Sequence, residues 1–422
     1  MTDTHNHPCF NGEARRRTAR IHLPVAPRCN VQCNFCNRAY DCVNESRPGV
    51  TSAVLSPFEA SRYFDLALER NGSIAVAGIA GPGDPFANPE ETLAALELIH
   101  ERHPEKLLCV ATNGLALPDY IDRAGRLGLS HVTITVNAVD PEIGARIYAW
   151  VRFGPKVCRG ASGAEILLAR QTEAVKLLKS LGIIVKINTV IIPGVNDWHI
   201  EEIASYTAAL GADIQNCVPL IPVEGTVFEH IEPPSAAQVQ ILREAAGKYL
   251  PQMSHCARCR ADALGFLGCH NQEEAEELLD RVRAVKPSAG KPYLAAASRE
   301  GLLVNCHLGE AAELWIAALE DGRAVIRERR PAPRPGSGDS RWEEMAATLD
   351  DCFAVLVSDC GPNPRRILEA RGIRVLAGDG LIGEMAKPLL EGRGLPRAYR
   401  AASPGKCGRG VSCAGSGMGC GA

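Results

Sequence analysis

Three cysteines on one short loop, in the run Arg28-Cys29-Asn30-Val31-Gln32-Cys33-Asn34-Phe35-Cys36, constrain this chain more than any other stretch. Thiolates at C-x3-C-x2-C spacing hold three irons of a [4Fe–4S] cubane and leave the fourth iron without a protein ligand. Zinc asks for four closed ligands in paired C-x2-C units, or for an open site rich in histidine, and neither is completed nearby. Disulfides fit poorly as well. The N-terminal residues carry no secretory signal, and seventeen cysteines in a chain that reads as cytoplasmic point to metal ligation where they cluster.

The loop follows an apolar run at residues 21–26, which reads as a first strand. Further apolar, β-branched runs at 73–80, 106–112, 131–137, 185–192 and 213–220 alternate with helical patterns at 90–101, 165–181 and 201–210. Strands apolar on both faces and separated by helices call for a parallel sheet with right-handed crossovers. About six such units predict a partial (βα)6-type barrel, whose strand C-termini carry function. A doubly wound sheet is the alternative. Polar or glycine-rich signatures fall at these ends: Gly81-Pro82-Gly83-Asp84-Pro85, Thr112-Asn113-Gly114, Thr133 and Thr135 before Asn137, and Lys186-Ile187-Asn188 with Pro193-Gly194-Val195-Asn196.

Beyond the barrel the sequence divides further. We expect a core over 1–285, a linker at 286–292, a small α/β domain over 293–396 and a flexible Gly/Cys-rich tail over 397–422 holding Cys407, Cys413 and Cys420. Within the small domain, residues 293–307 read as a hairpin and 327–340, rich in Arg, Pro and Gly, as a mobile segment. Net charge is −3, which supplies no basic surface for nucleic acid, and no apolar run reaches membrane-spanning length.

Other cysteines ask for a second metal site. Cys256 and Cys259 form another C-x2-C unit; Cys9, Cys42 and Cys109 stand singly, and in a strand Cys109 is otherwise a small hydrophobe. Two more cubanes with three protein ligands each need six, and these cysteines make five. A histidine can replace a thiolate at iron, so His22 on the first strand or His7 beside Cys9 completes the count. Glu45 is a candidate oxygen ligand or proton acceptor; otherwise it pairs with Arg47.

The cysteine loop, with aromatic Phe35 before its last thiol, resembles the radical S-adenosylmethionine (SAM) superfamily. That resemblance implies that Cys29, Cys33 and Cys36 bind a [4Fe–4S] cluster whose open iron takes the amino and carboxylate groups of SAM. It also implies that Phe35 packs near the adenine, and that Gly81, Pro82, Gly83, Asp84, Asn113, Thr133, Thr135, Asn137, Ile187 and Asn188 contact SAM.

With His7-Pro8-Cys9, residues 19–27, residues 41–50 and residues 256–265, the chain is similar to the NifB family of nitrogenase cofactor assembly, and the domain past the linker resembles the NifX/NifY family. The implied activity fuses two [4Fe–4S] clusters, with a SAM-derived carbide and a ninth sulfur, into an [8Fe–9S–C] precursor. The implied partners are a cluster-donor scaffold, an electron donor of ferredoxin or flavodoxin type and a downstream cofactor carrier, with neither nucleic acid nor membrane. The rival readings are a radical SAM enzyme acting on a peptide or small molecule with auxiliary clusters, and a non-enzymatic iron–sulfur carrier.

Overall fold

The structure, a computed structural model, describes residues 7–269, 272–336 and 338–399. It divides between Val282 and Arg283 into two compact units.

The first unit carries strands β1 (Ala19–His22), β2 (Val31–Cys33), β3 (Ile74–Ile79), β4 (Leu107–Thr112), β5 (Leu129–Thr135), β6 (Tyr148–Phe153), β7 (Lys156–Cys158), β8 (Ile184–Ile191), β9 (Ile214–Pro219) and β10 (Leu264–Gly265). Between them run helices α1 (Pro57–Arg70), α2 (Pro89–Arg102), α3 (Ile121–Arg126), α4 (Pro141–Ile147), α5 (Gly160–Ser180), α6 (Ile200–Ala209), α7 (Ala236–Ala246) and α8 (Gln272–Arg283). The main sheet has the order β10-β1-β3-β4-β5-β8-β9. From β1 to β9 every pairing is parallel, and β10 closes the β1 edge antiparallel. The parallel strands follow one another without reversing direction across the sheet. That is the order of an open barrel, whereas a doubly wound sheet reverses at a switch point.

Alternation along the strands separates two environments. Ala77, Val110, Val132, Ile134, Val185 and Ile187 face the helices and join Phe64, Leu96, Ile99, Leu178 and Ile203 in the main core. Burying each of these side chains other than the alanine contributes about 1.5–3 kcal/mol. The intervening positions are Gly78, Cys109, Ala111, Thr133, Lys186 and Asn188, and these line an interior cavity. Helix α1 starts at a complete capping box, with Ser56 accepting from the Glu59 amide and Glu59 returning to the Ser56 amide at 2.7 Å.

The first strand ends at His22, earlier than the apolar run, because Pro24 and Pro27 have no amide to offer a neighbouring strand. A second small sheet, β2-β6-β7, was not expected from the sequence: the segment Val31–Cys33, inside the cysteine loop, pairs antiparallel with β6.

The second unit contains β11 (Tyr293–Ala297), β12 (Glu313–Glu320), β13 (Arg323–Pro331), β14 (Cys352–Val357) and β15 (Arg374–Ala377), with α9 (Asp339–Thr348), α10 (Pro362–Ala370) and α11 (Ile382–Leu390). The sheet order is β13-β12-β11-β14-β15. Here two expectations are corrected. The hairpin is β12–β13, not residues 293–307, since β11 pairs with β12 and with β14. Arg327 to Pro331 is ordered strand, held at an edge by Arg327–Glu320, Arg329–Glu313 and Arg330–Asp351 ion pairs. Residues 286–292 are packed chain: Ser288 and Lys291 bridge each other, Lys291 Nζ donates to the Asp350 carbonyl, and Val285 sits in this unit's core. Of the expected tail, Arg397–Tyr399 is a single 3-10 turn, while Cys407, Cys413 and Cys420 lie outside the described residues.

Candidate metal centre

The cysteine loop leaves the C-terminal end of β1 and is gripped by the segment that follows β3. Ala26 bridges Pro82, the Gly83 amide donates to the Ala26 carbonyl at 2.6 Å, and the Asp84 amide donates to the Arg28 carbonyl at 2.8 Å. The contact is so close that a Cβ on Gly83 would stand 2.1 Å from the Arg28 carbonyl oxygen, so only glycine fits. The Gly81-Pro82 peptide is cis. Asp84 is buried, and its carboxylate accepts from Thr112 Oγ1, the Phe86 amide and the Asn113 amide. It thus ties the end of β3 to the end of β4. Asn88, which the sequence reading did not single out, clamps Arg28 from both sides, its amide group donating to the Arg28 carbonyl at 2.9 Å while its oxygen accepts from the Arg28 amide.

Cys29, Cys33 and Cys36 come together at this end of the barrel. Burial pushes the Cys29 thiol up to about 12, with Asp84 adding to the rise. Burial also raises Cys33 well above the ordinary thiol value, and the nearby Cys36, Cys42 and Cys29 reinforce it. Such thiols are protonated at neutral pH, and iron displaces those protons on binding. Two side-chain amides reach the sulfurs: Asn113 Nδ2 lies 3.8 Å from Cys29 Sγ and Asn44 Nδ2 lies 3.7 Å from Cys33 Sγ. Donors at that position stabilise a cluster's thiolates once formed. The three residues therefore fit the cluster they are expected to hold. Among the described residues no three His, Cys, Asp or Glu side chains converge on a point that would hold a single metal ion.

Deeper in the barrel, the cavity is lined by His7, Cys9, His22, Cys109, Cys256 and Cys259, together with Glu45. Residues from both ends of the unit and from β1 and β4 thus line one cavity. Cys42 does not line that cavity. Its sulfur lies 3.6 Å from the same Asn44 amide that reaches Cys33, so it stands beside the three-cysteine loop. The spacing along the chain gave no sign of this, because the turn at Cys42–Ser46 folds the residue back over the loop.

The two histidines differ in chemistry. His22 Nδ1 faces the Arg260 carbonyl at 2.9 Å, and a carbonyl only accepts, so the ring donates there and carries its lone pair on Nε2. His7 Nδ1 instead accepts from the Cys9 amide at 3.1 Å, which leaves the proton of a neutral ring on Nε2. Burial holds His7 well below the ordinary histidine value, with His131 and Lys186 adding to the effect, so it is neutral. The ligand-competent tautomer is His22's.

Glu45 links the two regions. Thr135 Oγ1 donates to one of its oxygens at 2.6 Å and Asn188 Nδ2 to the other at 2.8 Å. Burial outweighs these donors and lifts its carboxyl to about 7. The Thr135 and Asn188 side chains, expected at SAM, are thus engaged with Glu45. Asn137 donates to Asn44 and accepts from the Val190 amide, which fixes the Asn44–Glu45 turn. Thr133 lines the cavity. Ile187 points the other way, into the helix-facing core, so only its backbone is available to a ligand. Phe35 is fully buried, 6.4 Å from the Phe228 ring.

Three cations stand at the cavity: Lys186, which the sequence reading placed only among polar strand ends, and Arg20 and Arg258, which it gave no role. Arg20 Nη2 donates to Cys259 Sγ at 2.7 Å, and its other nitrogen reaches the Gly265 and Phe266 carbonyls. Lys186 and Arg258 also line the cavity. A signal existed: Arg20 and Lys186 are charges inside apolar strand runs, at inward-facing register.

A parallel open barrel with a three-thiol loop beyond its first strand defines a radical SAM enzyme, and residues 23–207 match the Radical SAM superfamily. Residues 291–392 match the family described as Dinitrogenase iron-molybdenum cofactor, the NifX-like domain. The FeMo cofactor biosynthesis protein NifB of Chlorobaculum tepidum is 49% identical over 98% of this chain and 98% of its own length. That of Klebsiella pneumoniae is 39% identical over 87% of this chain and 86% of its own. The chain belongs to the NifB family of FeMo cofactor biosynthesis proteins. Among solved structures, Streptococcus suis SuiB bound to S-adenosylmethionine covers 57% of this chain and 54% of its own at 16% identity and a TM-score of 0.41, too low to bear on function. Among the described residues no helix is long and apolar enough to cross a membrane.

Proposed function

We propose that the barrel unit fuses two [4Fe–4S] substrate clusters, with a carbide from SAM and a ninth sulfur, into an [8Fe–9S–C] precursor. The observation that carries this reading is the second set of cysteines lining a cavity directly inside a barrel that already presents a three-thiol loop at its mouth. One cluster and its SAM serve the radical step; a further set of ligands beside it is what substrate clusters need. Held by Cys29, Cys33 and Cys36, the resident [4Fe–4S] cluster with SAM supplies a reductively generated carbon radical.

The chain's own residues do the rest. Asn113 and Asn44 donate to the thiolates, and the Gly81–Asp84 segment fixes the loop that bears them. Cys9, Cys109, Cys256 and Cys259, with His22 presenting Nε2, hold the substrate clusters. Cys42, at the border between loop and cavity, belongs to this second set. Glu45, with a carboxyl near neutrality, accepts a proton from the carbon as its hydrogens are removed, or ligates iron while a cluster is exchanged. Imidazole and carboxylate release a product more readily than thiolate does. The NifX-like unit is the place for handing cofactor intermediates to a carrier, with a cluster-donor scaffold and a ferredoxin- or flavodoxin-type donor upstream. The chain works in the cytoplasm, where its thiols stay reduced; no disulfide joins the described cysteines.

The test uses anaerobic, iron-loaded protein, reductant and SAM labelled in its methyl carbon. Label retained in the extracted cluster, alongside 5′-deoxyadenosine, is the expected result. Label found only in small organic products would replace this reading with that of an enzyme acting on a peptide or small molecule.

A further inference from the structure

Lys186 projects from β8 into the cavity and is 7% exposed. Taking an ammonium out of water costs several kcal/mol unless something compensates it. Among the described residues it makes no hydrogen bond and no ion pair. Its Nζ lies 4.9 Å from the centroid of the Phe10 ring, a cation–π contact that orients the side chain and supplies only part of the compensation. Glu45 is already occupied by Thr135 and Asn188. Cys9, Cys109 and Cys256 line the same cavity, and thiols there acquire negative charge when iron displaces their protons. Arg20 has a different assignment, since it is committed to Cys259 and two carbonyls. Arg258 Nη2 likewise donates to the Pro219 carbonyl at 2.6 Å. Arg258 Nη1 is buried without a partner as well, but Lys186 is the one of these three whose charged group makes no hydrogen bond at all among the described residues.

We propose that Lys186 is a positioning residue for the substrate iron–sulfur clusters, its ammonium donating to sulfides of the anionic cluster held on the Cys9 and Cys256 side and balancing that cluster's charge. This rests on the two-cluster reading above. Nothing in the sequence pattern of the cysteine motifs requires a lysine here, and an apolar residue at the same inward position would pack against Phe10 at lower cost. The cation is therefore retained for what enters the cavity. A thiolate-bound cluster carries net negative charge, and charge-assisted donors to its sulfurs both strengthen binding and raise its reduction potential.

The experiment compares full-length wild type, Lys186→Met and Lys186→Arg after anaerobic iron–sulfide loading. Thermal melts of the metal-free chains establish folding, and Lys186→Gln replaces the methionine variant if that one does not fold. The readouts are the redox titration of the clusters other than the SAM-bound one and the rate at which a chelator strips their iron. Loss of the cation is expected to shift those clusters to lower potential and to speed stripping about tenfold, the worth of one hydrogen bond to a charged partner. Arginine is expected to restore most of both. If wild type holds the additional clusters and Lys186→Met leaves potential and stripping rate unchanged, the inference is overturned while the two-cluster reading stands. Wild type that loads only the SAM cluster would overturn both.

Discussion

At the residue scale, Cys42 and Glu45 sit on one turn and answer to different neighbours. Cys42 shares the Asn44 amide with Cys33 of the three-cysteine loop. If it belongs to the substrate set, Cys42→Ala keeps 5′-deoxyadenosine formation and loses labelled cluster product, whereas Cys29→Ala abolishes both and lowers bound iron by about one cubane. Equal loss of SAM cleavage in the two variants would move Cys42 into the SAM cluster. Glu45 gives a pH signature in the metal-free chain. Its folded carboxyl is raised to about 7 from an ordinary 4.5, so the native state binds the extra proton. Its contribution is most favourable below about pH 4.5 and falls by up to roughly 3 kcal/mol as pH rises to about 7. Glu45→Gln should flatten that slope in melts taken from about pH 5 to 8; an unchanged slope would assign the carboxyl an ordinary value.

At the element scale, the barrel strands were legible because the pattern behind them is physical: β-branched apolar runs alternating with helices, about six units, with polar or glycine-rich turns at their ends. The Gly81–Asp84 turn was legible as a site element, but its role was not. Its carboxylate, Asp84, is consumed by Thr112 and two backbone amides, and its second glycine exists to let the loop approach. Gly83→Ala should therefore destabilise the barrel by about 1–3 kcal/mol and impair cluster loading together, measured by denaturant melts and iron content. Full loading at wild-type stability would show that the loop tolerates displacement. The elements that escaped reading are those whose pairing is set at long range. Val31–Cys33 is too short to announce itself as a strand until β6 comes beside it. In β13, Arg-rich sequence mimics a solvated loop, yet an edge strand keeps its outward face charged and is fixed by β12. Arg20 went unread for a related reason, and Lys186 was read only as part of a polar strand end: a lone Arg or Lys in an apolar run has no motif, and only the register reveals that it points inward.

At the scale of the whole molecule, the chemistry is assigned to one unit. Every residue proposed as a ligand lies before Val282, and the second unit has its own sheet and core. A chain ended after Arg283 should still convert SAM to 5′-deoxyadenosine within about twofold of full length, while transfer of product to a carrier declines; a folded but inactive truncation would place part of the site in the NifX-like unit. The charge the cavity must accept, the thiols that line it and the loop at its mouth all depend on one iron being open to SAM beside Cys29, Cys33 and Cys36. Pulsed electron–nuclear double resonance on the reduced protein, with SAM labelled by nitrogen-15 at its amino group and oxygen-17 at its carboxylate, reads that coordination directly. Resolved couplings from both labels to the Cys29–Cys36 cluster are predicted; a cluster that shows neither label, in protein with SAM bound, would contradict the account.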